Sequence, residues 1–283
     1  MFEPRVALAS LSGAANAEWA RAVEDHAGAA FLGGIALCAG TRRAARRMAE
    51  ARDREEFLPT DPLRFVGREL GKLEDASLTP GINVRSAKRH PLRKVGAICA
   101  NHGAICELNA HCRQPELCAA GVGETLLRDA HRLCEQVEAV AATGANVSVK
   151  VRAEVPGVDL GALAGWIEAA GADAIHVDAM DSEEAIAEVA ETSELFVIAN
   201  NEVRDRASTE EYLAYGADAV SVGRASDRPA VLEDVRETTD AWFDGRDASV
   251  ENGDRVRGTE PDAKGLDAGG GVAERDAGAE PRG

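Results

Sequence analysis

Gly171-Ala-Asp-Ala-Ile-His-Val-Asp178 and Gly216-Ala-Asp-Ala-Val-Ser-Val-Gly-Arg224 are near-copies of one pattern, and the same opening recurs at Gly28 to Phe31, Gly103-Ala-Ile105 and Gly144-Ala-Asn-Val147. Each glycine follows an amphipathic stretch and precedes a short apolar, β-rich run, as a helix C-cap does before a strand. The repeating unit is therefore a βα unit. Outward from these copies the apolar runs number eight: Val6 to Ala9, Ala30 to Leu32, Ile82 to Val84, Ile105 to Leu108, Val147 to Val151, Ala174 to Val177, Leu195 to Ala199 and Ala219 to Val222. The segments between them, such as Gly161 to Ala170 and Ser182 to Glu191, have helical spacing with charged outer faces. Eight strands alternating with helices predict an α/β fold, a (β/α)8 TIM barrel. An open doubly wound sheet is the alternative, but no Gly-x-Gly-x-x-Gly turn follows the first run.

The chain has 283 residues and a formal net charge of -17. Only five lysines occur (Lys72, Lys88, Lys94, Lys150, Lys264), the remaining positive charge being arginine. This mixture points to a halophilic cytoplasmic protein, kept in solution by dense surface carboxylates. The acidity is spread along the chain, with -13 of the charge in residues 1–243. Such a surface repels nucleic acid at ordinary ionic strength, yet the Debye length shrinks to about 3 Å at 1 M salt, so an RNA substrate is disfavoured without being excluded. Six cysteines with no signal peptide imply a reducing interior, and their spacings, without any Cys-x-x-Cys, match no standard metal site. No apolar run approaches the ~20 residues of a membrane span.

After Phe243 the periodicity ends, so a barrel over residues 1–243 and a disordered acidic tail over 244–283 are predicted. The longest connection, Thr41 to Gly81, opens with an arginine-rich helix (Arg42 to Arg54). There Arg42, Arg43, Arg46 and Arg47 read as a solvated face paired with Glu50, Glu55 and Glu56, with no function assigned.

In such barrels chemistry sits at the C-terminal strand ends. Strand three ends in Asn83-Val-Arg85-Ser86, strand four in Asn109-Ala-His-Cys112, strand five in Lys150-Val-Arg152, strand six in His176-Val-Asp178, strand seven in Asn200-Asn201 and strand eight in Gly223-Arg224. Cysteine is commonly a packing residue, but Cys112 stands in a polar, proline-containing loop beside His111 and Arg113, where its ionisation can be tuned. Gly223 permits close backbone approach and Arg224 can grip a phosphate, at the strand seven and eight loops where barrels commonly bind one. Arg85, Arg113, Arg152 and Asp178 are candidate substrate-binding residues by position.

The stretch Glu107-Leu-Asn-Ala-His-Cys-Arg-Gln-Pro115, followed by Gly121-Val-Gly123-Glu-Thr-Leu-Leu127, resembles the signature of the tRNA-dihydrouridine synthase family. In order after it come a Lys-x-Arg (Lys150, Arg152), a histidine (His176), an asparagine pair where the family has Asn-Gly (Asn200, Asn201) and a Gly-Arg (Gly223, Arg224). The resemblance implies flavin mononucleotide (FMN) as cofactor, contacted by Asn109, Lys150 and His176, with its phosphate held by Asn200, Asn201, Gly223 and Arg224. It further implies Cys112 as the catalytic acid: reduced flavin delivers hydride to C6 of a uracil ring while Cys112 protonates C5. NAD(P)H is then the expected electron donor, and tRNA or a free pyrimidine the substrate, as in the related dihydroorotate and dihydropyrimidine dehydrogenases.

Several positions depart from the family. Strand one lacks the usual Ala-Pro-Met loop, Asn83 stands for glutamine, Arg113 for the proline after the cysteine and Asp178 for an arginine, and the helical tRNA-binding domain has no counterpart after residue 243. All but the first two concern substrate rather than cofactor. Two other chemistries stay open: a Schiff-base Lys150 as in barrel aldolases, and a flavin-free barrel binding a phosphorylated metabolite.

Overall fold

A computed structural model describes residues 1–251, with side chains through residue 245. Eight parallel strands close into a barrel in sequence order: β1 (Val6–Leu8), β2 (Ala29–Ala36), β3 (Thr79–Arg85), β4 (Ile105–Asn109), β5 (Asn146–Arg152), β6 (Ala174–Asp178), β7 (Phe196–Asn200) and β8 (Ala219–Val222). Closure is made by β1 on β8, with Val6, Ala7 and Leu8 opposite Val220, Ser221 and Val222. The surrounding helices are α1 (Ala17–Arg21), α2 (Ala39–Arg52), α3 (Pro62–Gly71), α4 (Arg89–Asn101), α5 (Pro115–Ala119), α6 (Ala130–Ala141), α7 (Leu160–Ala169), α8 (Ala185–Thr192), α9 (Arg206–Ala214) and α10 (Pro229–Glu251). All eight predicted runs are strands.

Local sequence sets the helix ends. Aspartates cap α3, α6, α7 and α9: Asp61 precedes Pro62, and Asp205 forms a reciprocal box with Ser208. The recurrent glycines at 103, 144, 171 and 216 have φ of +62°, +80°, +97° and +96°, as helix C-caps require. Gly28 is different. Its φ is not positive, and a Cβ there would lie 2.0 Å from the Pro4 carbonyl, so it is glycine because β1's approach passes against it.

Strand β2 is longer than the predicted run Ala30 to Leu32, because Gly33-Gly34 continues the strand through a register shift. The glycines are needed there: a Cβ on Gly34 would lie 2.7 Å from Asn83 Oδ1 and 2.8 Å from an Arg85 guanidinium nitrogen. Helix α10 runs past the boundary predicted at 243, and the rest of the predicted tail lies outside the described residues. The pairing expected of the α2 arginines is not formed. Arg42 donates to the Pro59 carbonyl, and Arg43, Arg46 and Arg47 are exposed and make no ion pair among the described residues.

The barrel interior is layered. Lowest is an apolar layer of Ala7, Ala29, Phe31, Ile105, Ile198 and Ala219, in which small residues leave room for the ring of Phe31. Burying that ring contributes about 2–3 kcal/mol. Above it lies a fully polar layer of Asn83, Glu107, Ser148, His176 and Ser221, and the Phe31 and His176 rings touch across the boundary, 5.3 Å between centroids. A larger apolar shell between strands and helices encloses the barrel. Among the described residues, no helix is long and apolar enough to cross a membrane.

Candidate active site

The strand ends β1, β3, β4, β5, β7 and β8 surround a cavity of two lobes, each about 360 Å³, which share Ser10, Leu11, His111 and Arg224. In a chain of charge -17 the first lobe is cationic. It presents Lys150, Arg204, Arg224 and Arg228 against one carboxylate, Glu202, which is already paired with Arg204. Lys150 is only 2% exposed yet has no hydrogen-bond or ion-pair partner among the described residues. A nearly dry ammonium facing a cavity calls for an acceptor from a ligand.

The second lobe holds Cys112, which is 7% exposed, beside a buried ion pair. Arg85 donates to Glu56 Oε2 at 3.0 Å and to Ser12 Oγ at 2.8 Å. Burial would weaken the charge on Arg85, but the Cys112 sulfur and the Glu56 carboxylate outweigh it and raise its pKa. His111 spans both lobes. Burial, with Lys150 and Arg85 close by, holds its pKa well below the ordinary imidazole value, so the ring is neutral at neutral pH.

The Cys112 loop is fastened from both sides. Its N–H donates to Asn109 Oδ1 at 3.2 Å and its carbonyl accepts from Glu124 N at 2.9 Å. Gly123 lets the second contact form: its φ is +66°, and a Cβ there would lie 2.1 Å from the Cys112 carbonyl oxygen. The Gly121-Val-Gly123 element is thus the clamp that sets the cysteine loop on the barrel rim.

Of the residues singled out from sequence, Cys112, Lys150, Asn200, Asn201, Gly223, Arg224 and Arg85 line the cavity. Others do not. His176, expected at a flavin, lies one layer below with no exposed surface, its nitrogens 2.7 Å from Glu107 Oε2 and 2.7 Å from Ser221 Oγ. Asn109 stands behind Cys112. Arg152 turns to Glu124 at 3.1 Å, Arg113 is exposed, and Asp178 lines neither lobe. The side chains of Arg113, Arg152 and Asp178, expected at the substrate, thus leave the strand ends in other directions than the residues that line the cavity. Arg228, Glu56 and Gln114, which also line the cavity, were not singled out from sequence. Glu56 gives no local signal because its partner is 29 residues away, whereas Arg228 follows the Gly-Arg pair and precedes the Pro229 helix start.

Asn201 has φ +115°. It offsets the strain through Nδ2, which donates to the Met180 carbonyl at 2.8 Å. The strain costs about 1–3 kcal/mol. Asn201→Gly is expected to change stability little, strain relief balancing the lost bond and added chain entropy. Asn201→Ala keeps the strain and loses the bond, so thermal unfolding is expected to rank it below the glycine variant by about 1–2 kcal/mol. Equal stabilities would mean the backbone relaxes freely there.

A dihydrouridine synthase family model matches residues 82–252. An uncharacterised protein of Methanocaldococcus jannaschii is 27% identical over 235 residues, covering 79% of this chain and 89% of its own length. Solved structures share the fold at low identity. The 3-hexulose-6-phosphate synthase of Salmonella typhimurium matches with TM-score 0.54 and 14% identity over 84% of this chain and 99% of that one. A tryptophan synthase complex chain from Pyrococcus furiosus gives 0.54 and 14% over 86% and 97%. A FabK mutant from Thermotoga maritima gives 0.52 and 15% over 78% of this chain, which spans only 61% of the FabK chain.

Proposed function

Because the chain belongs to the dihydrouridine synthase family, we propose that it is an FMN-dependent oxidoreductase reducing the C5–C6 bond of a uracil ring, with NAD(P)H as electron source. The observation that carries this reading is the pairing of a cationic lobe, where Lys150, Arg224 and Arg228 have no side-chain partner among the described residues, with an adjoining lobe that holds Cys112. The donor set fits a phosphorylated, electron-rich ligand: Arg224 and Arg228 would hold a phosphate, Gly223 would let it approach the backbone, and Lys150 would donate to polar ring or ribityl atoms. FMN, when bound, supplies the hydride chemistry. Cys112 would hold the proton given to C5, Arg85 beside it would stabilise the negative charge left on sulfur as that proton departs, and neutral His111 would act as hydrogen-bond partner.

For the substrate, RNA is supported by Arg43, Arg46 and Arg47, exposed on α2, which packs against the Cys112 loop through Met48 and Ala45. A free pyrimidine is the second reading, favoured by the small Cys112 lobe of about 360 Å³. Loss of dihydrouridine from the tRNA of a deletion strain would decide for RNA; unchanged tRNA would decide for the free ring.

The first test is the visible spectrum of protein purified in high salt, with the released cofactor weighed by mass spectrometry. Bound or readily taken-up FMN supports the reading. Colourless protein that refuses FMN would overturn it in favour of a phosphorylated metabolite. Arg224→Ala is expected to weaken FMN binding by ~1–3 kcal/mol, read by fluorescence titration; undiminished binding would remove Arg224 from the phosphate site.

A further inference from the structure

Glu107 lies in the middle of β4, has no exposed surface and lines neither lobe of the cavity. Both of its oxygens are nonetheless committed to paths that end there. Oε1 accepts from Asn83 Nδ2 at 2.7 Å; Asn83 Oδ1 accepts from Asn109 Nδ2 at 2.8 Å; and Asn109 Oδ1 accepts the Cys112 N–H at 3.2 Å. Oε2 lies 2.7 Å from His176 Nδ1, His176 Nε2 lies 2.7 Å from Ser221 Oγ, and Ser221 Oγ is 2.8 Å from Asn200 Oδ1. One hydrogen-bond chain thus crosses the barrel from the cysteine loop to the cationic lobe, with Glu107 at its centre.

We propose that Glu107 is a positioning residue, a single buried carboxylate whose acceptor-only pattern orients Asn109 behind Cys112 and Asn200 in the cationic lobe.

The direction of each bond follows from hydrogen-bonding capacity. An ionised carboxylate accepts and cannot donate, whereas an amide has one end of each kind. Oε1 therefore fixes Asn83 with nitrogen inward, Asn83 fixes Asn109, and Asn109 is left with its oxygen towards the Cys112 backbone. Oε2 in the same way requires the imidazole proton on Nδ1, so Nε2 accepts the single Ser221 hydroxyl proton and Asn200 must turn its amide nitrogen, in place of Oδ1, toward Ser221 Oγ. Burial pushes the Glu107 carboxyl up, but His176, the Lys150 ammonium and Asn83 outweigh it and hold the pKa below its ordinary value, so the acceptor pattern persists at neutral pH. Lys150 thereby gains a counter-charge one layer beneath it, leaving its donors for the cavity.

Glu107→Gln keeps the shape and breaks the pattern, because one end of the new amide must face a donor. If nitrogen faces His176, the ring must move its proton to Nε2. If nitrogen faces Asn83, that amide flips, Asn109 flips after it, and its nitrogen meets the Cys112 N–H, donor against donor. The functional consequence rests on the flavin reading; the chain itself does not.

The test is ¹⁵N NMR of the histidine rings and asparagine amides in full-length, ligand-free protein, beside FMN titration and turnover. Wild type is expected to carry its His176 proton on Nδ1. Glu107→Gln is expected to move that proton to Nε2 or to reverse the Asn109 amide, with FMN affinity or turnover falling about 10- to 100-fold. An unchanged His176 tautomer with unchanged amides, or altered NMR with full FMN affinity and turnover, would overturn the proposal. Ser221→Ala, which cuts only the Asn200 arm, is the second variant should the glutamine protein not fold. It is expected to free the Asn200 amide and leave Asn109 fixed, and equal effects on both, or on neither, would also overturn it. Wild-type protein that takes up no FMN would sink the flavin reading alone, the NMR result still deciding the role of Glu107.

Discussion

Cys112→Ala is expected to retain FMN with near wild-type affinity and to lose turnover by about 10²- to 10⁴-fold, the usual contribution of a placed general acid. The separation of the two readouts comes from the geometry. Cys112 is in the second lobe, whereas the cations suited to a phosphate, Lys150, Arg224 and Arg228, are in the first. The side chain lost is small, and its backbone contacts to Asn109 and Glu124 do not depend on sulfur. Single-turnover reoxidation of the reduced protein by a uridine-containing substrate is the measurement. Unchanged reoxidation would take Cys112 out of the chemistry; a parallel loss of FMN would instead make it a packing residue, as its contacts with Ala36, Leu117 and Val122 would then imply.

Gly123→Ala is expected to be as damaging to turnover as loss of the thiol, although the thiol remains. A methyl group there would lie 2.1 Å from the Cys112 carbonyl oxygen, and that oxygen is backbone, so the whole 112–114 loop must move. The left-handed φ of +66° adds strain of its own. Together these cost about 2 kcal/mol or more, equivalent to a Tm fall of roughly 4–8 °C in a barrel of this size. Gly144→Ala is the matched comparison, since Gly144 has φ +80° with nothing within 4 Å of its Cβ position. It carries strain without collision, so it is expected to lower Tm less and leave turnover intact. Thermal unfolding and turnover of both variants decide the matter, and equal losses would mean that backbone strain alone explains Gly123.

The barrel was legible because its signals are local and repeated. A short β-rich run is visible within ten residues and recurs eight times, five of them behind the same glycine-alanine opening. The strand ends that face the cavity were legible for the same reason, since Lys150, Asn200 and Gly223 sit at fixed offsets in their strands. What could not be read is set by contacts between distant segments. His176 has the right strand and the right face, but depth along the barrel axis decides whether it meets a ligand or a carboxylate, and its Glu107 partner is 69 residues away. Glu107 did leave a trace: a charged residue in an otherwise buried strand, in register with Asn109 and facing inward. Arg113 shows the opposite limit, because a loop residue one position beyond Cys112 turns outward, and sequence adjacency says nothing of direction.

The two lower layers of the barrel evolve under different rules. In the apolar layer around Phe31, one side chain can drift to another of similar volume, because dispersion contacts have no sense of direction. In the layer above, each hydrogen bond has a sense, and reversing one reverses the next, so a change at Asn83, Glu107 or Ser221 is tolerated only with a compensating change across the barrel. Asn83 has no room for a bulkier neighbour, since a Cβ on Gly34 would lie 2.7 Å from its oxygen. Change at this site is therefore expected at the outer rim, in residues such as Arg204 and Arg228, while the tier beneath them is expected to change in matched sets or not at all.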